Sequence, residues 1–175
     1  MTLLVNLDAK VFQWINSLAG QSAFRDQVLI FASKYGIEIF GGILFVLFFI
    51  HRRSFWRAAI AAVLARVVLV ETIRHLYHRP RPFLNQSLEG LRQLIEKNAN
   101  EASFPSGHAA VYFAIAFAVY FSNKTLGWIL LATASIFGLA RVYAGVHYPS
   151  DILGGAVVGF VSAWVVQRVL KSRSN

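Results

Sequence analysis

Cysteine is absent from the 175-residue chain. That excludes disulfide frameworks, thiolate zinc sites, iron–sulfur clusters and cysteine nucleophiles, and leaves the redox compartment unread. Charge is scarce as well: Asp, Glu, Lys and Arg make up 14% of residues, against about 25% in soluble domains. There is no Gly-x-Gly-x-x-Gly and no Walker lysine, so nucleotide binding has no support. Internal repeats and low-complexity tracts are missing too. The first twenty residues lack a basic leader and carry Asp8 and Lys10 within an apolar pattern, so no cleavable secretory signal is expected.

Apolar residues are what the chain has in excess. They reach 57%, with a mean hydropathy of +0.54. This argues against disorder, a coiled coil or an ordinary soluble domain, and points to a single polytopic membrane domain over residues 1–175. A net charge of +9 suggests nucleic acid only until the charges are placed. They flank apolar segments, so the expected partner is a lipid bilayer and not a nucleic acid.

The expected fold is all-α, a membrane helix bundle of about five spans preceded by an interfacial helix. Leu3, Leu4, Leu7, Val11, Trp14, Ile15 and Leu18 recur at helical spacing, so residues 1–25 hold an amphipathic helix over 3–18 with Trp14 as its anchor. Spans are expected near 26–50, 54–77, 106–121, 125–143 and 150–170. About 20 residues cross a hydrocarbon core; the third span is shorter and opens in Pro-Ser-Gly-His, so its top should meet a polar cavity. Residues 79–105 form an outward-facing loop, in which Leu88, Leu91, Leu94 and Ile95 suggest a short helix.

Orientation follows from loop charges. One side collects Arg52, Arg53, Arg57, Lys124, Arg168, Lys171 and Arg173 with no acid. The other mixes its basic residues with Asp8, Asp26, Glu71, Glu89, Glu96, Glu101 and Asp151. The purely basic side is expected in the cytoplasm, with the N-terminus outside and the C-terminus inside. Within the spans, Lys34 and Glu38 lie four apart on one helix face, and Arg66 lies near the middle of the second span. A structural Glu38–Arg66 contact is expected; passage of substrate or protons is the alternative.

Three polar clusters end on the outer face. Arg74-His-Leu-Tyr-His-Arg-Pro-Arg81-Pro82 closes the second span, where proline stops the helix. Arg74 and Arg81 can converge on one anion, because guanidinium forks match phosphate oxygens. Phe104-Pro105-Ser106-Gly107-His108 opens the third span, and a helix N-terminus with a glycine is a ready anion site. Arg141-Val-Tyr-Ala-Gly-Val-His147-Tyr-Pro-Ser-Asp151 joins the fourth span to the fifth. Asp151 can hold one imidazole nitrogen of His147 and leave the other free to attack. Each cluster alone also fits a headgroup-facing belt or a helix cap. Together, on one face, they suit phosphoryl transfer: a histidine nucleophile, a second histidine as acid, and arginines and helix N–H groups for the equatorial oxygens. No carboxylate cluster suited to Mg²⁺ is evident, so no metal and no cofactor is expected.

These clusters resemble the signature of the type 2 phosphatidic acid phosphatase superfamily, Lys-x6-Arg-Pro, Pro-Ser-Gly-His and Ser-Arg-x5-His-x3-Asp. Here they read Arg74-x6-Arg81-Pro82, Pro105-Ser106-Gly107-His108 and Ala140-Arg141-x5-His147-x3-Asp151. Arg74 replaces the family lysine and Ala140 the family serine. The resemblance implies that His147 attacks phosphorus and forms a phosphohistidine, that Asp151 orients it, and that His108 protonates the leaving group and then activates water. It assigns phosphate binding to Arg74, Arg81, Ser106, Gly107 and Arg141, and no catalytic position to His75 or His78. Among the branches of the family, the small frame and outward site look most like bacterial undecaprenyl-diphosphatases of the cytoplasmic membrane. A broad phosphatidate or phosphatidylglycerophosphate phosphatase is the alternative enzyme, and a lipid-phosphate binding or transport protein the non-catalytic one.

Overall fold

A computed structural model describes residues 2–88 and 90–172. Glu89 and Arg173 lie outside the described residues, as do the side chains of Leu3, Leu4 and Lys171. The described chain is helical without strands. Its elements are α1 (Thr2–Asn16), α2 (Ala23–Ile50), α3 (Arg52–Val63), a π-helical stretch (Leu64–Val70), α4 (Glu71–Leu76), a 3₁₀ turn (Pro82–Leu84), α5 (Gly107–Tyr120), α6 (Lys124–Tyr143) and α7 (Pro149–Ser172). The backbone stays right-handed helical at Leu64 and Glu71, so α3, the π stretch and α4 form one rod. This rod is the expected second span. Of the described helices α2, α6 and α7 are individually long and apolar enough to cross a membrane, and the apolar α5 is shorter, as its sequence implied. The chain is a multi-pass membrane protein.

The centre of the bundle is α5. Ala109, Ala110, Ala114, Ala116 and Ala118 are buried along it, and small side chains let α7 and α6 approach closely. A Cβ at Gly155 of α7 would come within 2.7 Å of the Ser106 carbonyl oxygen, so glycine there sets the distance between α7 and the start of α5. Ridges of Phe45, Phe49, Val67, Trp128, Ile136, Leu153 and Val157 stay exposed. An exposed apolar surface of that extent is what a lipid-facing bundle presents.

All three polar clusters reach one end of the bundle, because α4 ends there, α5 begins there, and α6 hands over to α7 there. At the opposite end the α2–α3 and α5–α6 connections are one to three residues long, and Ser54 Oγ donates to Ser122 Oγ at 3.0 Å. The amphipathic α1 lies across the polar end. It buries Phe12 and Asn16 and leaves Val5, Leu7, Val11 and Trp14 exposed.

The loop after α4 differs from expectation. Among the described residues, Leu88 and those of 90–95 form no helix, although Leu88 and Ile95 are buried. Their spacing reflects an irregular segment pressed onto the helix ends. Its backbone bonds elsewhere: Arg92 N–H donates to Asn16 Oδ1 at 2.9 Å and Leu94 N–H to the Ala144 carbonyl at 3.0 Å. Asn16 completes the clip by donating from Nδ2 to the carbonyls of Arg92 and Tyr143, both at 2.8 Å. Gly145, with φ of 80°, makes the turn against this loop. A Cβ there would meet the Arg92 carbonyl oxygen at 2.5 Å. The outer loop is thereby fixed against the turn that carries His147.

Candidate active site

His147 lies in the five-residue turn between α6 and α7 and is 1% exposed. Its Nδ1 is 3.3 Å from Asp151 Oδ2, one helical turn further on. The carboxylate holds the proton on Nδ1, which leaves a lone pair on Nε2. On that side Arg81 Nη1 approaches Nε2 at 3.4 Å and also donates to the Val146 carbonyl at 3.1 Å. Burial pushes the His147 imidazole down to about 4; the Asp151 carboxylate opposes this, and the Arg141 and Arg81 charges add to it. The ring is therefore neutral at pH 7.

Asp151 is fully buried and fully engaged. Oδ2 accepts from the Tyr148 N–H at 2.8 Å and from the Ser103 hydroxyl, while Oδ1 accepts from Arg79 Nη1 at 2.9 Å. Arg79 in turn reaches Ser150 Oγ at 2.6 Å and Asp8 Oδ2 at 2.7 Å, and stacks over the Tyr148 ring at 4.0 Å. Asp8 also accepts from the Ser150 N–H at 2.9 Å. Burial lowers the Arg79 pKa, but Asp151 and Asp8 outweigh it and the net shift is upward. A cation shared by two carboxylates thus fixes the residue that orients His147, and α1 supplies one of them.

Beside His147 lies a cavity of about 40 Å³. Arg66, Arg74, Arg81, Lys97, Glu101, Gly107, His108 and Arg141 line it with His147. Five cations face one acid. Arg74 donates from Nε and Nη2 to the Pro105 carbonyl at 3.3 and 3.1 Å, a contact from two nitrogens that a lysine, with its donors on one nitrogen, does not make. Arg81 donates from Nη2 to Glu101 at 3.0 Å, and burial holds its pKa below the ordinary value against the pull of Glu101. Arg141 donates from Nη1 to the Ser33 carbonyl of α2 at 2.9 Å. Arg81 and Arg141 each keep a buried Nε with no partner. Among the described residues no group of three His, Cys, Asp or Glu side chains is placed to hold a metal ion.

The structure brings together Arg74, Arg81, Gly107, His108, Arg141 and His147 around this cavity, with Asp151 behind His147. Ser106 is not in the lining. It is fully buried, caps α5 by accepting from the Ala109 N–H at 3.5 Å, and donates its own N–H to the Asp151 carbonyl at 3.0 Å. The intramembrane charges also depart from expectation. The Glu38–Arg66 contact is not formed: Arg66 pairs with Glu71 at the site, and Glu38 is exposed on α2. The π stretch turns Arg66 toward the start of α5, where a Cβ at Gly107 would meet its Nε at 3.0 Å. Lys34 lines a neighbouring cavity beside His108. Sequence reasoning missed Arg79, Ser103, Glu101 and Lys97. Arg79 stood in plain view inside the Arg-Pro-Arg run, and Asp8 as an acid in an apolar stripe, but nothing in one sequence paired them.

Comparison with known proteins identifies the family of the chain. The sequence profile described as the PAP2 superfamily matches residues 55–174. The chain is 29% identical over 166 residues to undecaprenyl-diphosphatase BcrC of Bacillus subtilis, covering 93% of this chain and 83% of that protein. It is 32% identical over 167 residues to the bacitracin transport permease protein BcrC of Bacillus licheniformis, covering 93% and 79%. Among solved structures, Aquifex aeolicus LpxE superposes with a TM-score of 0.78 at 27% identity, over 91% of this chain and 93% of that one.

Proposed function

The chain belongs to the PAP2 superfamily and is a membrane lipid phosphatase, and we propose that it cleaves a polyprenyl diphosphate, undecaprenyl diphosphate, to the monophosphate through a phosphohistidine. The observation that carries the mechanism is His147: buried, neutral, tethered at Nδ1 by Asp151, with only Arg81 Nη1 near Nε2, and in the lining of a cavity with five cations. Relatives named undecaprenyl-diphosphatase support the choice of lipid.

In the first step the Nε2 lone pair of His147 forms a bond to the terminal phosphorus, and the bond from that phosphorus to the bridging oxygen breaks. His108 gives its proton to that oxygen, which leaves as the lipid monophosphate. Asp151 takes up the positive charge that develops on the His147 ring. In the second step His108 accepts a proton from water as the water oxygen attacks phosphorus. The P–N bond breaks, inorganic phosphate leaves, and His147 is neutral again. Arg74, Arg81 and Arg141, with the Gly107 N–H, hold the equatorial oxygens, and the partnerless Nε atoms of Arg81 and Arg141 are donors ready for them. Ser106 contributes by capping α5 and aiming its N–H groups. These cations carry the charge that a divalent ion supplies in other phosphoryl-transfer enzymes.

The polar end faces the extracytoplasmic side, because the opposite end carries Arg52, Arg53, Lys124 and Arg168. On this reading α1 lies in the outer interface and the loop 79–105 covers the site from outside. The test is phosphate release in detergent with EDTA present, from undecaprenyl diphosphate, phosphatidate and phosphatidylglycerophosphate. Release from the polyprenyl substrate, abolished in His147→Ala, is the expected result. Preference for a glycerolipid overturns the substrate and keeps the mechanism. Release that needs a divalent ion overturns the metal-free chemistry, and tight lipid binding without turnover supports the non-catalytic reading.

A further inference from the structure

His108 stands between two cavities. It lines the small cavity beside His147, and it also lines a second one of about 440 Å³ with Ser33, Lys34, Glu96, Lys97 and Arg141. The proton donor of the first step must face the leaving oxygen, so the leaving group extends from His108 away from His147. The second cavity is therefore on the leaving-group side. Its ionisable lining is three cations to one acid, besides His108. A third cavity, of about 660 Å³, also borders the site, with Arg74, His75 and His78 facing Glu71 and Glu101, but it does not include His108 and so is not on the leaving-group side.

Resting on the diphosphatase reading above, we propose that Lys97, with Lys34, forms a second phosphate subsite, which holds the phosphate that stays on the lipid and so selects diphosphate over monophosphate substrates. Lys97 lines both cavities, and so belongs to the wall shared by the two places where the phosphates of a diphosphate would lie. Among the described residues neither lysine has a hydrogen-bond or ion-pair partner. Lys34 is the twelfth of the 28 residues of an apolar helix, where an unpaired cation is costly. Lys97 is half-buried, and burial, then the Arg141 and Arg81 charges, lower its pKa. An ammonium held among cations is short of negative charge, and a bound phosphate supplies it. A glycerolipid monophosphate places an uncharged ester there and gains nothing from either lysine.

The experiment compares farnesyl diphosphate with farnesyl monophosphate, which share a tail, on the full-length protein in detergent. Lys97→Ala is expected to lower kcat/KM for the diphosphate by about tenfold to a hundredfold, the usual worth of a charge-assisted hydrogen bond. Turnover of the monophosphate should fall clearly less, since Lys97 also lines the cavity beside His147; in Lys34→Ala, which spares that cavity, it should change by less than about threefold and so report a folded protein. Lys34→Ala should give a smaller loss of the same kind, and Lys97→Arg should restore most of the selectivity. Competition supplies a second readout. Methylenediphosphonate should inhibit monophosphate hydrolysis more weakly in Lys34→Ala than in wild type, while inhibition by orthophosphate stays the same. Equal losses on both farnesyl substrates, or unchanged methylenediphosphonate inhibition, overturn the subsite and leave the diphosphatase reading intact. A wild-type protein that hydrolyses the monophosphate but not the diphosphate overturns both.

Discussion

The two ends of the bundle are built on different physics. At the end with His147, connections are longer, side chains are polar, and a chain of buried groups is paired: Asp8 with Arg79, Arg79 with Asp151, Asp151 with His147, Asn16 with Arg92 and Tyr143. At the other end, connections are tight and aromatic. Phe48 packs on Phe55 at 5.2 Å and Tyr120 on Trp128 at 5.4 Å, and the polar contact between Ser54 and Ser122 is exposed. A buried polar network is costly to break because each lost partner leaves another group unmet. Apolar packing beside exposed polar contacts fails gradually. Damage should therefore be steep at the first end and shallow at the second.

The steepest case is Asp151→Asn. The amide keeps the shape but loses the charge that fixes the His147 proton on Nδ1, and turnover should fall by about 10⁴-fold, the scale seen when a carboxylate orienting a catalytic histidine is replaced. Phosphate release measures it, and a fall of under tenfold would remove Asp151 from the mechanism. Arg79→Ala comes next. It leaves Asp151 buried without its cation, which should cost about 3 kcal/mol of stability. Arg79→Lys restores charge but not the fork to Asp8, and thermal unfolding in detergent should place it between the two.

Acid should strike the same end. With His147 at about 4 in the folded protein and about 6.5 when unperturbed, the neutral nucleophile at pH 5 is roughly thirtyfold more abundant than for an ordinary histidine. The acid limb of kcat/KM should thus lie near pH 4, and a limb near 6.5 would mean that the ring is not buried during turnover. The stability linkage has the opposite face. The folded pKa is lowered, so the unfolded chain binds more protons between the two values. His147 therefore costs no stability above about pH 6.5, and its cost grows as pH falls toward about 4.

The same contrast explains what was legible in the sequence. The opposite end and the spans follow from local rules: apolar length, tight turns and flanking Arg52, Arg53 and Lys124 mark them residue by residue. The core of the site was legible too, since His147 and Asp151 are four apart and Ser106 caps its own helix. What failed involved partners far apart in the chain. Asp8 reaches Ser150 across 142 positions, and Arg79 reaches Asp151 across 72. The sequence leads one to expect Arg66 against Glu38, but its partner is Glu71, five residues on, which the π stretch brings within reach. The segment around Leu88 and Ile95 carried helical spacing without a helix, because its backbone partners belong to Asn16 and Ala144. Periodicity reports which side chains are buried and not what the backbone bonds to.

Two mild substitutions sharpen the contrast. Asn16→Ala removes a buried amide that satisfies two carbonyls and one N–H. It should cost about 2 kcal/mol, with kcat preserved in the molecules that remain folded, because Asn16 braces the His147 turn without lining the cavity. Ser54→Ala breaks a hydrogen bond of similar length at the far end. There water replaces the lost donor, while the Ser122 hydroxyl keeps its own bond to the Val119 carbonyl at 3.1 Å. The change should stay within about 0.5 kcal/mol. If thermal unfolding instead finds Ser54→Ala as damaging as Asn16→Ala, the far end is held by its polar contact and not by its aromatic packing, and the division between the two ends fails.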